Sequence, residues 1–390
     1  MIFKKIKGLI IFCLSIFLYL RYCIFTRSDL STDNLQENKN TKGDFIKSSF
    51  EDYVSQEMCD TIEELRVELD VPSIQVSIVS KDHGEFNYIS GYANIEKKKI
   101  ATLNTVYYLG SLTKLYVQAV ILKLVQDKKV SLDDLVIDYI NIYPNDKSVT
   151  INHLLDHSSG LYDLLSSRRH LFKLYFLGKR HTTEDILRNV RENKPYFAPG
   201  EKRKYSNTGY ILLGLIAEKV TNKSFSYLLN QFFLDNYKLT NTFYSSQDEL
   251  PNSLATGYDL DMYRLDKVGL KANVEKYPFS LPTAGFTSGG IVSNASNVCN
   301  FLFNIFNTSV LDDKYIRKLR LFFIPKNKEN IVLRTNIGHI CGYYNFSGYS
   351  DSKKFSIVVL TNLSYASGGV YIPEKVADKI IETMVNNGII

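Results

Sequence analysis

The chain has 390 residues, of which 45% are hydrophobic and 23% are charged, a composition typical of a globular protein with a sizeable core. Its formal net charge is +6, from 47 basic and 41 acidic residues. Five basic residues and no acidic residue lie in the first 27 positions, which leaves 42 basic against 41 acidic residues in the remainder. This near-neutral body disfavours a nucleic-acid-binding protein, which would carry a basic patch or stripe.

Residues 1–27 have the pattern of a membrane-targeting segment. Three lysines within the first seven residues precede an apolar run over residues 8–20, which Arg21 interrupts. A basic start followed by an apolar run predicts a signal peptide or a signal anchor. The uninterrupted run is shorter than the roughly 20 residues that span a bilayer, and a second apolar stretch follows Arg21. No small-residue cleavage site follows, which favours an uncleaved anchor.

Residues 28–48 are polar and without apolar periodicity, which predicts a linker to a folded domain over residues 49–390. The lysines of the leader would stay inside the cell. The domain would therefore lie outside the cytoplasm, anchored to the membrane or secreted if the leader is cleaved. The three dispersed cysteines of this domain form neither a disulfide framework nor a zinc spacing, and we expect no metal and no cofactor.

The folded part opens with an amphipathic helix and a β-hairpin. Apolar residues recur at helical spacing from Phe50 to Leu69. Residues 73–80 then alternate with a period of two, and residues 85–92 follow a turn at 81–84. This pattern predicts two antiparallel strands.

The stretch Ser111-Leu112-Thr113-Lys114 is the first candidate for chemistry. In a helix, positions three apart lie on one face, so Ser111 and Lys114 would be neighbours. A serine hydroxyl is a weak nucleophile until a neighbouring group takes its proton, and a lysine can do so where burial lowers its pKa. The apolar residues that follow predict a buried helix ending near residues 127–129. The S-x-x-K pattern alone, however, also occurs by chance.

The middle of the chain, from residue 132 to about 279, reads mostly as helices and loops without a clear strand pair. Residues 148–161 predict a helix that ends at a glycine. Its two histidines, His153 and His157, are four apart and could share a helical face, but the zincin pattern needs glutamate where Leu154 stands. We interpret His157 and the two serines after it as groups that satisfy the backbone at the helix end.

Tyr205 and Asn207 are predicted to lie in a loop just before an apolar helix over residues 211–220. Loops held by rigid elements are where catalytic side chains concentrate. The alternative is that Ser206, Asn207 or Thr208 serves only to cap the helix.

The C-terminal region returns to strands. Ser288-Gly289-Gly290 precedes a helix through Phe303, without the lysine of a phosphate-binding loop. Strands are predicted at about 337–346 and 354–362, before a final helix. The strands at the two ends of the chain would close one sheet. The α/β part would then comprise about 49–130 and 280–390, with residues 131–279 inserted as a helical part.

Three stretches in order resemble the motifs S-x-x-K, Y-x-N and K-T-G or H-x-G of the serine β-lactamase/penicillin-binding-protein superfamily, specifically its class C-like hydrolases. They are Ser111-Leu112-Thr113-Lys114, Tyr205-Ser206-Asn207 and His339-Ile340-Cys341-Gly342. The resemblance covers roughly residues 50 to 365. It implies an α/β (α+β) fold of the β-lactamase/transpeptidase type, with an antiparallel sheet flanked by helices and an inserted all-helical domain.

The resemblance also implies roles for individual residues. Ser111 would attack a carbonyl and become acylated, while Tyr205 and Lys114 share the proton transfer. Asn207 would orient Lys114 and the substrate amide, and His339 would stand near the substrate carboxylate.

The backbone N–H groups of Ser111 and Gly342 would form the oxyanion hole. Cys341 departs from the family pattern, which has a small glycine there, and its side chain could crowd the cleft.

The implied function is a serine hydrolase of the D-Ala-D-Ala carboxypeptidase, penicillin-binding or esterase type. Its substrate would be a small molecule or peptide, such as a peptidoglycan-type peptide, an ester or an amide. These activities share the motifs, and the shape of the cleft separates them. The alternative is a catalytically inactive protein of the same fold that serves as a binding or scaffold module.

Overall fold

The computed structural model describes residues 47–142, 148–166, 182–260, 271–273, 286–326, 331–340, 342–364 and 371–390. The predicted targeting segment 1–27, most of the predicted linker, and Cys341 lie outside these ranges. Across the described ranges, no helix is both long enough and apolar enough to cross a bilayer. Whether residues 1–27 anchor the chain therefore stays a prediction.

Strands from both ends of the chain form one antiparallel sheet. The strands are β1 Lys47–Ser48, β2 Ser73–Ser80, β3 Gly84–Asn94, β4 Lys99–Ile100, β5 Tyr107–Tyr108, β6 Thr242–Tyr244, β7 Tyr258–Leu260, β8 Lys271–Asn273, β9 Ile291–Ser293, β10 Phe322–Lys326, β11 Ile331–Ile340, β12 Tyr343–Ser350 and β13 Phe355–Thr361. In the described part of the chain, the main sheet has the order β1-β3-β2-β13-β12-β11-β10, with β4 paired to β3. The predicted hairpin (β2–β3) and the predicted closure of one sheet by the two chain ends are confirmed.

Helices cover both faces of this sheet. They are α1 Asp52–Glu68, α2 Thr113–Gln126, α3 Ile151–Leu155, α4 Thr183–Glu192, α5 Asn207–Thr221, α6 Phe225–Leu229, α7 Asp235–Tyr237, α8 Ala295–Asn307, α9 Asp313–Ile316 and α10 Ile372–Asn386, with a π-helical turn Asn230–Leu234 between α6 and α7.

The central strand β13 shows why both faces are covered. Ile357 and Val359 belong to the core that the sheet forms with α1 and α10, whereas Val358 and Leu360 belong to the core that contains α2 and α8. Successive side chains of a strand point to opposite faces, so a strand that is apolar throughout must be buried on both sides.

Ser111 lies at the start of a buried helix. Gly110–Leu112 form one 3-10 turn that continues directly into α2, and 11 of the 14 residues of α2 are buried. Gly110 has φ of 55°, and a Cβ atom on it would lie 2.8 Å from the backbone of His339. Glycine is thus required here, because strand β11 passes directly against the turn that carries Ser111.

The middle of the chain is not all-helical, contrary to the prediction. Strand β6 pairs with β9, which also pairs with β5, and β7 pairs with β8. These strands have two or three residues each, too short to show a periodicity of two in the sequence.

The strand predicted over residues 337–346 is in fact two strands, β11 and β12. Ile340 pairs with Tyr343, so β11 and β12 form a hairpin with a tight turn that includes Gly342. Gly342 has φ of 82°, the left-handed conformation that such a tight turn needs. The prediction missed this turn because apolar residues continue across it.

The helix predicted over residues 148–161 is also shorter, since only Ile151–Leu155 are helical. Thr150 and His153 form a capping box at its start, and His157 has φ of 62°, which no α-helix accommodates. The two histidines therefore do not share a helical face.

Candidate active site

Ser111, Lys114, Tyr205 and Asn207 lie together where the turn before α2 meets the start of α5. The hydroxyl oxygens of Ser111 and Tyr205 are 2.5 Å apart. The Nζ atom of Lys114 is 3.2 Å from Ser111 Oγ and 3.0 Å from Asn207 Oδ1. Ser111 and Lys114 thus contact Tyr205 and Asn207, which lie about 90 positions later in the sequence.

The amine of Lys114 is buried between α2 and α5. Its third partner is the backbone carbonyl of Ser288, at 2.7 Å, and the Tyr205 ring lies 4.8 Å from Nζ. Burial lowers the pKa of Lys114 to about 7, against an opposing contribution from the Asp163 carboxylate. Near neutral pH a large fraction of Lys114 is therefore the free amine, the form that can accept a proton.

The partners of Lys114 also fix where its lone pair points. Asn207 Oδ1 and the Ser288 carbonyl can only accept hydrogen bonds, so a neutral amine gives both of its hydrogens to them. Its lone pair is then left for the third neighbour, the hydroxyl of Ser111. This is the arrangement that deprotonation of a serine nucleophile requires.

Tyr205 lies in the loop immediately before α5. Burial of its hydroxyl raises its pKa to about 12, with the hydrogen bond to Ser111 opposing and the Asp163 charge adding to this shift. The phenol is thus protonated at neutral pH. Because Lys114 is largely deprotonated near neutral pH and Tyr205 is not, Lys114 is the base that is available, and Tyr205 is suited to donate a proton.

Asp163 is a residue that the sequence reading did not single out. It is buried, and its Oδ1 atom accepts hydrogen bonds from the backbone N–H groups of Asn207 (2.7 Å) and Thr208 (3.2 Å). Its other oxygen lies 3.5 Å from the Asn207 amide nitrogen, which turns the Asn207 oxygen towards Lys114. Only the closure of the 156–163 loop onto α5 brings Asp163 to this position.

The helix-capping alternative for the Tyr205 loop also holds for one residue. The Ser206 side chain accepts a hydrogen bond from the Gly209 N–H at 3.1 Å and caps α5, so that Asn207 is the first residue of the helix and does not lie in the loop. Ser206 thus caps the helix, and its neighbours Tyr205 and Asn207 form part of the site.

His339 does not face the turn that carries Ser111. A Cβ atom on Gly338 would lie 1.9 Å from the Leu109 carbonyl oxygen, so position 338 faces that turn. His339, one residue on, faces the side of the sheet where Leu333 and Ile337 pack with α1 and α10. Its ring lies 5.7 Å from that of Tyr344. The pleat of β11 thus turns the His339 side chain away from the Ser111 turn, and its place near a substrate carboxylate stays a prediction.

The Gly342 amide, the second predicted oxyanion donor, has a hydrogen-bond partner within the fold. Its N–H donates a hydrogen bond to the side-chain hydroxyl of Ser364, which follows β13 in the chain. An amide engaged in this way is not available to an oxyanion, and the Ser111 N–H stays a predicted donor. The neighbouring Cys341 lies outside the described residues.

His153 and His157 each use a ring nitrogen to accept a backbone hydrogen bond. His153 Nδ1 accepts a hydrogen bond from the Thr150 N–H, and His157 Nδ1 accepts one from the Ser206 N–H, both at 3.2 Å. Among the residues that the structure covers, no group of three histidine, cysteine, aspartate or glutamate side chains could hold a metal ion.

Comparison with known proteins places this geometry in a family. The chain is 29% identical to Protein flp from Staphylococcus aureus (strain COL) over 212 residues, which cover 53% of this chain and 42% of that protein. The match therefore spans less than half the length of this curated relative.

Solved structures show the same fold. D-amino acid amidase from Ochrobactrum anthropi SV3, complexed with D-phenylalanine, gives a TM-score of 0.72 at 21% identity, covering 85% of this chain and 99% of that chain. The octameric penicillin-binding protein homologue from Pyrococcus abyssi gives 0.68 at 26% identity, covering 85% and 77%. The Beta-lactamase family model matches residues 59–369. The chain therefore belongs to the Beta-lactamase family, within the serine β-lactamase/penicillin-binding-protein superfamily.

Proposed function

We propose that this chain is a serine hydrolase that forms an acyl-enzyme on Ser111. The observation that carries the proposal is the position of the Lys114 amine, 3.2 Å from Ser111 Oγ with its two other partners able only to accept hydrogen bonds. A buried lysine with a pKa near 7 is unusual outside functional sites, because burial of an amine costs free energy.

In the proposed reaction, Ser111 Oγ attacks the carbonyl carbon while its proton passes to Lys114 Nζ. The carbonyl oxygen of the tetrahedral intermediate takes up the negative charge, and the Ser111 N–H is one donor that can stabilise it. When the bond to the leaving group breaks, Tyr205 gives its proton to the leaving nitrogen or oxygen, and Lys114 replaces that proton. Water then hydrolyses the ester by the same steps in reverse.

The substrates we propose are D-Ala-D-Ala-type peptides, with other amides or esters as the alternatives. The family membership and the likeness to a penicillin-binding protein homologue support this class of substrate. Action outside the cytoplasm rests on the leader pattern in residues 1–27 and stays part of the proposal.

The first prediction concerns the nucleophile. A chain that starts at Ser28 is incubated with penicillin and, separately, with a fluorophosphonate, and its intact mass is measured. We expect a covalent adduct that is absent in Ser111→Ala, because only Ser111 has the Lys114 amine beside it. A penicillin adduct points to peptidoglycan-type peptides, and a phosphonate adduct alone points to an esterase.

The control for this experiment is the folded state of both proteins, measured by circular dichroism. A folded parent chain that takes up neither reagent would exclude the enzyme and leave the binding or scaffold module.

A further inference from the structure

His157 has a strained backbone at the rim of the site. Its φ of 62° is in the left-handed region, which non-glycine residues adopt only at a cost in free energy. Such strain persists where the surrounding contacts hold it in place, and these positions cluster at functional sites. The contacts of His157 therefore indicate what the strain maintains.

Three contacts join His157 to Tyr205 and its two neighbours. The His157 carbonyl oxygen accepts a hydrogen bond from the Lys204 N–H at 2.9 Å, and Nδ1 accepts one from the Ser206 N–H at 3.2 Å. Between them, the imidazole lies against the Tyr205 ring, with centroids 4.8 Å apart. One residue thus holds the backbone on both sides of Tyr205 and one side of its ring.

The need for such support follows from the exposure of Tyr205. The residue as a whole is 48% exposed although its hydroxyl is buried against Ser111, so burial alone does not fix the direction of the ring. Its hydroxyl nevertheless lies 2.5 Å from Ser111 Oγ. A side chain with one open face keeps such a short contact only if its other face and its backbone are held.

We propose that His157 is a positioning residue that holds the Tyr205 hydroxyl against Ser111. It does so as a neutral imidazole with the proton on Nε2, since Nδ1 accepts the Ser206 N–H. The inference rests on the proposed function, in which Tyr205 donates the proton to the leaving group. His157 itself touches no reacting atom.

The protonation state of His157 agrees with this role. Burial and the nearby Lys114 charge lower the pKa of His157 to about 4, and Asp156 opposes them. The ring is therefore neutral at the pH where Lys114 is a free amine.

The same segment offers a matched control. His153 also accepts a backbone N–H with Nδ1, from Thr150 at the same distance of 3.2 Å, but its hydrogen bond caps α3 and does not involve the Tyr205 loop. Loss of this bond should affect stability without affecting the chemistry.

The test compares three variants by the rate of acylation with penicillin, whose ring nitrogen must take up a proton as it leaves, and by thermal unfolding. His157→Phe keeps a ring but loses the acceptor for Ser206. His157→Asn keeps an acceptor and tolerates the left-handed backbone. We expect acylation of His157→Phe to be about tenfold to a hundredfold slower, because a small displacement of a catalytic group has an effect of this size. The reagent concentration that gives half of the maximal rate should change little. His157→Asn should recover most of the rate, and His153→Phe, which loses the acceptor for the Thr150 N–H, should keep all of it.

A second measurement does not depend on how the variants fold. Nitrogen-15 NMR of the parent chain at pH 7 should show His157 with its proton on Nε2. A proton on Nδ1 would overturn the inference, and so would a folded His157→Phe that is acylated at the parent rate. Equal slowing in His153→Phe and His157→Phe would reduce the role of His157 to stability. Failure of the proposed function shows separately, as a folded parent chain without an adduct.

Discussion

At the scale of single residues, the site depends on how one buried amine is surrounded. Lys114 has no carboxylate as a direct hydrogen-bond partner among the bonds described, and Asp163 acts on it from behind Asn207. The Asp163 carboxylate is near enough to raise the pKa of Lys114, but its hydrogen bonds go to backbone N–H groups at the start of α5. A direct ion pair would instead keep the lysine protonated and unable to act as a base.

This arrangement predicts a pH effect of Asp163→Asn. The acylation rate of the parent chain should rise with pH through about 7, as Lys114 becomes neutral. Because the Asp163 charge raises the pKa of Lys114, its removal should lower that pKa and move the acid limb of the profile to lower pH. Asparagine keeps an oxygen that can accept the Asn207 N–H, so the start of α5 is retained. The measurement is the pH dependence of fluorophosphonate acylation.

Asp248 provides the control for this variant. Its carboxylate also accepts hydrogen bonds from a backbone N–H, that of Tyr244, and from a serine hydroxyl, that of Ser226. Asp248→Asn should leave the acid limb in place. If Asp163→Asn moved the limb to higher pH, the assignment of Lys114 as the base would fail.

At the scale of secondary-structure elements, two helix starts form the site. Ser111 lies in the 3-10 turn before α2, and Asn207 is the first residue of α5. Both helices are buried over most of their length, so their starts are fixed in position. A side chain placed at such a point moves less than one in a free loop, which suits groups that must stay within hydrogen-bonding distance.

The cap of α5 should therefore affect both stability and chemistry. Ser206→Ala removes the acceptor of the Gly209 N–H, and we expect a loss of about 1 kcal/mol in unfolding free energy. Since Ser206 stands between Tyr205 and Asn207, acylation should also slow. Chemical denaturation and the acylation rate measure the two effects.

Ser224→Ala is the matched control, because Ser224 caps α6 through the Tyr227 N–H at the same distance of 3.1 Å. It should lose a similar amount of stability and keep the parent acylation rate. Equal rates in both variants would show that the α5 cap serves stability alone.

The close contact between β11 and the Ser111 turn gives a second prediction at this scale. A Cβ atom in Gly338→Ala would lie 1.9 Å from the Leu109 carbonyl oxygen, so the strand and the turn must move apart. We expect a loss of about 1–3 kcal/mol in stability, as for other overpacked sites, together with slower acylation.

Gly348→Ala is a suitable comparison on the neighbouring strand. Its Cβ atom would meet mainly the Leu333 Cδ1 atom, at 2.9 Å, the movable end of a side chain. The parent acylation rate is expected for Gly348→Ala. Parent stability in Gly338→Ala would contradict the close packing of β11 on the turn.

At the scale of the whole molecule, the sheet joins the two ends of the chain. Strand β13 pairs with β2 over seven residue pairs, from Phe355↔Ser80 to Thr361↔Ile74. The site lies on the α2 face of this sheet, between elements that are far apart in sequence. Its geometry therefore depends on the folding of nearly the entire domain.

The leader gives the prediction at this scale. Full-length chain expressed in bacteria should sediment with membranes, whereas a chain starting at Ser28 should stay in the soluble fraction and form the same Ser111 adduct. The described fold begins at Lys47, so the truncation removes no described contact. Washing the membranes with high salt is the control, because it releases proteins held only by charge. Release of the full-length chain by salt would contradict an anchor.

The sequence by itself determined the parts of this protein that depend on local spacing. Ser111 and Lys114 are neighbours because positions three apart meet on one helical turn. The β2–β3 hairpin follows from a period of two around a turn. The order of three motifs was sufficient to indicate the family that the comparison later showed.

Only the tertiary structure decided the rest, because it depends on contacts between distant segments. The approach of Tyr205 to Ser111 spans 94 residues, and the contact of Asp163 with Asn207 spans 44. The side of the sheet that His339 faces depends on the phase of the pleat relative to the Ser111 turn, which a one-residue shift would reverse. Local sequence patterns do not show which face of the sheet each residue of β11 points to, so only the packing of β11 against the Ser111 turn determines it.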